Sequence, residues 1–249
     1  MIEIWAYSLV SVILVSFVSF AGIFLFAINL KKLEKLLIYL VSFSVGALLG
    51  DAFIHLLPEI IEEAGFGLDI SLYLLFGLLF SFIIEKFIRW RHCHVPTSKH
   101  HPHPFAIMNL VGDGVHNFID GIIISVSYLV SIPVGISTTL AVIFHEIPQE
   151  IGDFGVLIHG GFSKTKALFF NFLTAATAIL GGVVGLIASV YVEHITYFLI
   201  PFAAGNFIYI AGSDLIPELH KKEGVKESLL QLLAVILGIG VMMLLLLLE

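Results

Sequence analysis

Long apolar runs alternate with short polar breaks along this chain, and eight of the runs are long enough to cross a bilayer. They fall at about 4–29, 36–58, 70–89, 105–129, 133–159, 166–190, 195–217 and 227–248. A helix needs about 20 apolar residues to span the hydrocarbon core, so each run predicts one transmembrane helix. The first run follows Met1-Ile2-Glu3 with no basic segment and outlasts a signal-peptide core, so it reads as a retained helix. Polar residues are shared unevenly among the runs. Spans 1, 3, 6 and 8 have interiors nearly free of ionisable groups. Span 2 carries Asp51 and His55, and span 4 carries Asp113, His116 and Asp120. Span 5 carries His145, Glu146, Glu150 and Asp153, and span 7 carries Asp214 and Glu218. The pattern predicts an all-α polytopic membrane protein in one transmembrane domain. Four polar helices form an inner bundle and four apolar ones face lipid.

Composition leaves little room for a soluble fold. Hydrophobic residues make up 59% of the chain and charged residues 12%, against about 25% charged in soluble domains. Charge then sets the orientation. Lys31, Lys32 and Lys35 follow span 1; Lys86, Arg89, Arg91 and Lys99 end or follow span 3. Lys164 and Lys166 follow span 5, and Lys221, Lys222 and Lys226 follow span 7. These are all 12 basic residues of the chain, and eight spans put every one on the same face. The opposite loops hold Glu59, Glu62, Glu63, Asp69 and Glu193. The positive-inside rule makes the basic face cytoplasmic and leaves both termini on the other side. Cys93 stands alone, so no intrachain disulfide forms. There is no Asn-x-Ser/Thr sequon and no large luminal domain, which fits a bacterial-type cell (inner) membrane. Lipid is the expected surround. No nucleic-acid partner and no cofactor are indicated, and a homodimer is compatible with the sequence.

Two of the apolar runs contain clusters that hydrocarbon should exclude: His116-Asn117-Phe118-Ile119-Asp120-Gly121 and His145-Glu146-Ile147-Pro148-Gln149-Glu150. An ionisable group at that depth costs at least ~2.5–3.5 kcal/mol, and marks a functional position by default. His116 and Asp120 are four apart and share a helix face, with Asn117 beside them. His145 shares a face with Gln149, and Glu146 with Glu150. Pro148 has no N–H and should kink span 5, freeing the carbonyl of Phe144. One such cluster could be interhelical glue, worth ~0.6–2 kcal/mol. Two clusters on successive antiparallel spans joined by a short turn can face each other and enclose a divalent ion. Nitrogen and oxygen donors without thiolate suit Zn2+ and also Fe2+, Mn2+, Co2+ and Cd2+. An intramembrane metal-dependent hydrolase is the rival reading. The zinc-protease signature His-Glu-x-x-His is broken here by Gln149. Asp51, His55, Asp113 and Glu150 are candidates for lining the pathway.

Two further patterns bear on mechanism. Span 2 ends Asp51-Ala52-Phe53-Ile54-His55-Leu56-Leu57-Pro58-Glu59 and span 7 ends Asp214-Leu215-Ile216-Pro217-Glu218. The two spans run in opposite directions, as an inverted-topology repeat requires, and such repeats build alternating-access transporters. The cytoplasmic segment 90–104 is rich in histidine, with His92, His94, His100, His101 and His103 among the chain's 11. It can catch ions leaving the pathway or sense cytoplasmic metal; the plainer reading is a linker with weak adventitious binding. Gly181, Gly182 and Gly185 make span 6 a helix able to approach a neighbour closely.

The motif pair resembles the ZIP family of divalent-metal transporters. The core of the resemblance is His-Asn-x-x-Asp-Gly at 116–121 and His-Glu-x-Pro-x-Glu at 145–150. Gly46 to Asp51 with His55, and Gly205-Asn206-Phe207 to Pro217-Glu218, support it. The continuation Ile151-Gly152-Asp153-Phe154 is similar to the branch that includes many animal organellar zinc importers. The resemblance implies a 3+2+3 helix arrangement and a metal site between spans 4 and 5, with movement toward the cytoplasm. It implies that His116, Asp120, His145 and Gln149 surround the principal ion, and that Asn117, Asp120 and Glu146 line an adjacent position. That branch usually has His where this chain has Gln149. Relatives with a second tight ion often place a carboxylate in span 6, and none occurs in 166–190.

Overall fold

The computed structural model describes residues 2–23, 30–89, 104–191, 194–221 and 224–248, all helical or in short turns. The histidine-rich segment, with His92, His94, His100, His101 and His103, lies outside them. The helices are α1 (Ile2–Val18), α2 (Leu30–Gly50), α3 (Leu57–Ala64), α4 (Leu68–Arg89), α5 (Pro104–Val130) and α6 (Ile132–His159). They continue with α7 (Lys164–Ala175), α8 (Thr177–Tyr191), α9 (Ile195–Tyr209), α10 (Ile216–Leu219) and α11 (Val225–Leu245). Among the described residues, six stretches are long and apolar enough to cross a membrane: Ile2–Ala21, Leu37–Ala64, Leu68–Lys86, Lys164–Tyr191, Ile195–Leu219 and Val225–Leu245. The helices that carry the two polar clusters, α5 and α6, are 27 and 28 residues long.

Local chemistry explains the breaks. Ser131 separates α5 from α6: its hydroxyl accepts the Val134 N–H at 3.2 Å, and Pro133 fits the first turn, where no N–H is needed. Pro58 and Pro217 each follow a six-residue π-helical segment, Asp51–Leu56 and Ile210–Leu215. A proline cannot donate to the carbonyl one turn back. The wider turn absorbs the fault, with Leu57 N–H reaching Ala52 O and Ile216 N–H reaching Ala211 O. The sixth apolar run is interrupted at Ala176. There Thr177 Oγ1 is 2.6 Å from both the Thr174 and Gly114 carbonyls, the kind of back-bonding that bends helices. The first run tightens into a 3-10 turn over Ser19–Ile23. Pro148, by contrast, lies inside a helix that continues from Ile132 to His159. The carbonyl it leaves free, that of Phe144, accepts the Ser44 hydroxyl of α2 at 2.6 Å.

The polar helices form the centre. α5 packs on α6, α6 on α2, and α9 on both α5 and the α2–α3 rod, which closes a four-membered ring. α9 lies beside Asp51–Ala64, while Ile210–Leu219 lies beside α2, so these two rods run antiparallel. Outside the ring, α1 covers α5, α6 and α8; α4 covers α9; α8 covers α5; and α11 covers α2. Burial follows this order: 61% of the apolar stretch in Ile195–Leu219 and 50% of that in Leu37–Ala64 are buried, against 11% in Leu68–Lys86 and 17% in Val225–Leu245.

Small residues set the closest approaches. A Cβ at Gly121 would stand 1.9 Å from the Ala178 carbonyl oxygen, and one at Gly181 would stand 1.9 Å from that of Phe118. α5 and α8 therefore cross backbone to backbone. Reciprocal glycine pairs also join α2 to α11 (Gly46, Gly238) and α4 to α9 (Gly77, Gly205).

Candidate metal centre

α5 and α6 meet where their clusters lie. His116 Nε2 is 3.2 Å from His145 Nε2, 3.2 Å from Glu146 Oε1 and 3.6 Å from Asp120 Oδ2. His145 Nε2 is 3.2 Å from Asp120 Oδ2 and 3.4 Å from Glu146 Oε1. Four donor atoms thus converge, two of nitrogen and two of oxygen, and all lie within 4.8 Å of one another. His145, Asp120 and Glu146 are buried, while the His116 side chain is 20% exposed, so the cluster is reached from the His116 side.

The ring of His145 is set from behind. Its Nδ1 lies 3.1 Å from the Ala141 carbonyl. A carbonyl only accepts, so Nδ1 carries the proton and Nε2 presents its lone pair to the cluster. Phe207 of α9 packs against the ring, with centroids 6.2 Å apart. Two buried carboxylates facing two imidazoles, with no lysine or arginine paired to them among the described residues, is a costly arrangement without a cation.

The other sequence candidates take several positions. Asn117 is buried beside the cluster, and its amide donates to Asp113 Oδ1 at 2.8 Å. Asp113, Glu146 and Glu150 form a second convergent group. Gln149 lines a cavity that also reaches His116, Asp113 and Asp153. Asp51 and His55 lie away from these groups. Thr138 Oγ1 donates to Asp51 Oδ2 at 2.9 Å, and His55 Nε2 is 2.9 Å from the Met242 carbonyl.

Three partners were not singled out by sequence. Thr174 and Asn171 of α7 donate to Asp113 Oδ2 and Glu150 Oε2, each at 2.5 Å. Asn109 donates to Asp153 at 2.9 Å. The available signal was an Asn and a Thr inside an otherwise apolar run, which packing alone could equally explain.

The cavity holds about 660 Å³ and runs from His116, Gln149 and Pro148 past Asp153 and Asp214 to Glu218 and Lys221. Glu218 and Lys221 in its lining are exposed. At the other end of the bundle, Glu59, Glu62, Glu63 and Thr196 line a separate hollow of about 320 Å³.

Six apolar helices around a buried set of imidazole and carboxylate donors define the class: an integral membrane protein with the donor groups of a divalent-metal site. The family model for the ZIP zinc transporters matches residues 2–106 and 91–246, and the chain belongs to that family. It is 30% identical to zinc transporter zipt-7.1 of Caenorhabditis briggsae, over all of this chain and 80% of the relative. It is 32% identical to the zinc transporter ZIP13 homolog of Drosophila melanogaster, over 84% of this chain and 77% of the relative. To human zinc transporter SLC39A7 it is 28% identical, over 100% of this chain and 72% of the relative. These relatives are named as transporters, not enzymes, and the hydrolase alternative finds no support among them.

Proposed function

We propose that this protein carries divalent metal ions, zinc foremost, into the cytoplasm through a site between α5 and α6. The observation that carries the reading is the convergence of His116, Asp120, His145 and Glu146 on one buried point within hydrogen-bonding range. Gln149, at the head of the cavity, completes the site as a neutral oxygen donor. Mixed, thiolate-free ligation binds zinc and also releases it, and leaves room for Fe2+, Mn2+, Co2+ and Cd2+.

The direction follows from charge and access. The cavity from the site ends beside Lys221, on the face where the basic residues gather, and the positive-inside rule makes that face cytoplasmic. The conformation is therefore inward-facing, with Asp153, Asp214 and Glu218 along the exit. Asp51 and His55 belong to the outer approach. Eight spans then put both termini on the non-cytoplasmic side, in the cell (inner) membrane.

An inverted repeat underlies the 3+2+3 arrangement. Aligned on Pro58 and Pro217, the two antiparallel rods each carry a Pro-Glu pair, an acid or imidazole three residues earlier (His55, Asp214) and a glycine twelve residues earlier (Gly46, Gly205). Each proline follows a π segment, and each glycine meets an outer helix, α11 or α4, through a reciprocal glycine. Matching devices at matching positions on rods of opposite direction are what alternating access by repeat exchange needs. A homodimer within the bilayer completes the expected assembly.

The test is uptake of labelled zinc by proteoliposomes holding the purified protein. Uptake above protein-free vesicles is expected without any added organic substrate; its absence, with the protein folded and inserted, refutes transport.

A further inference from the structure

α4 covers α9 and is itself little buried, yet its Ser81 lines the cavity that reaches His116. Facing it on α9 is Asn206, also in the lining and 3% exposed. The seam between the two helices is close. A Cβ at Gly205 would stand 2.0 Å from the Leu74 carbonyl oxygen, so the main chain beside Asn206 is held. Asn206 precedes Phe207, whose ring packs against His145, so it reaches the cavity at the level of the histidine cluster. The Ser81 hydroxyl lies 2.9 Å from the Gly77 carbonyl and 2.5 Å from Asn206 Oδ1, and Asn206 Nδ2 is buried with no hydrogen-bond partner.

An amide's oxygen and nitrogen are told apart by their bonds, and proton counting turns this amide over. The hydroxyl has one proton. With Oδ1 at Ser81, that proton serves two acceptors, and a buried NH2 keeps both of its protons unbonded. With Nδ2 at Ser81, the hydroxyl donates to Gly77 and accepts from the amide, and only a carbonyl oxygen is left over. Orphaned buried donors are rarer than under-satisfied acceptors. We propose that Asn206 presents this oxygen to the cavity as a neutral ligand that receives the ion leaving the histidine cluster, with Ser81 as the residue that positions it. The proposal rests on the transport reading. Asn206 stands on α9, not on α5 or α6, so the ion is handed to the facing wall of the cavity. A lone carboxamide holds a soft or borderline ion such as zinc more weakly than imidazole does, which suits a station on the way out.

A thiolate in place of the amide makes contact with the ion visible. In a Cys93→Ser background, Asn206→Cys with stoichiometric Cd2+ should show the ultraviolet charge-transfer absorption of a cadmium–thiolate bond, and the Cys93→Ser parent should not. Asn206→Leu, which keeps the branched shape and removes the oxygen, should lower maximal zinc uptake at least ~10-fold, the scale of loss seen even for outer partners of a ligand. Calorimetry on the same protein should still find zinc bound by the histidine cluster. Ser81→Ala should lower uptake alone and add nothing to Asn206→Leu, because it acts through the amide. The cysteine variant decides the matter if Asn206→Leu does not yield monodisperse protein. Absence of the cadmium–thiolate band, uptake by folded Asn206→Leu at the wild-type rate, or a further loss on adding Ser81→Ala overturns the proposal and leaves the transport reading standing. Wild-type vesicles that take up no zinc overturn the transport reading itself.

Discussion

At the scale of single residues, the proposed site depends on groups that water cannot replace. His116 and His145 each present an Nε2 to the same point. Replacing either with Ala should cut zinc uptake at least ~10-fold, since losing even an outer partner of a ligand costs that much. Membrane insertion should be retained. Uptake at the wild-type rate by either variant removes that residue from the pathway. Gln149 is the residue most particular to this chain. It lines the same cavity as His116, at a position where the family resemblance implies His. Imidazole binds zinc more strongly than a carboxamide does, so Gln149→His should lower the half-saturating zinc concentration. It should also raise zinc preference over manganese, which favours oxygen. Maximal uptake should fall as the ion leaves more slowly. Unchanged affinity and metal preference in well-expressed protein would falsify the placement of residue 149 at the ion.

At the scale of elements, close helix contact positions the donors. Gly121 follows Asp120 directly, and its α-carbon faces the backbone of α8. An added methyl would meet Ala178 O at 1.9 Å and Gly182 N at 2.8 Å, and neither backbone atom can swing aside. Gly121→Ala should therefore push α5 off α8 and carry Asp120 with it. The expected outcome is weaker zinc binding by calorimetry together with a lower melting temperature in detergent; wild-type values for both would show that the crossing is slack. Ser44 tests a second contact. Its hydroxyl satisfies the Phe144 carbonyl that Pro148 orphans. Removing a partner from a buried polar group costs about 1–3 kcal/mol, and bonds between membrane helices average nearer ~0.6. Ser44→Ala should lower thermal stability within that range, and no change would mean that another donor reaches the carbonyl.

For the whole molecule, the orientation is the testable claim. In a Cys93→Ser background, Glu62→Cys lies at the end of the bundle with the small acidic hollow, and Lys164→Cys begins α7 at the other end. An impermeant thiol reagent should label the first in intact cells and the second only after permeabilisation. Labelling of both from one side would dismantle the eight-span topology.

The sequence by itself determined the membrane-embedded helical class, the family and the donors that share a helix. Apolar run length reports which segments can cross a membrane as helices, and spacing of three or four reports a common face, because both are properties of one helix. That is why the pairings of His116 with Asp120, His145 with Gln149 and Glu146 with Glu150 on common helix faces were legible before any fold was known. Tertiary structure decided which stripes face each other. It gathered Glu146 with the two histidines and Asp120, and set Gln149 along the cavity wall. It also brought Asn171 and Thr174 to Glu150 and Asp113. The rotation of each helix in the bundle is fixed by backbone contacts such as Gly121 on Ala178 and by wide turns such as Asp51–Leu56. Those depend on pairs of residues far apart in the chain, and no local period encodes them.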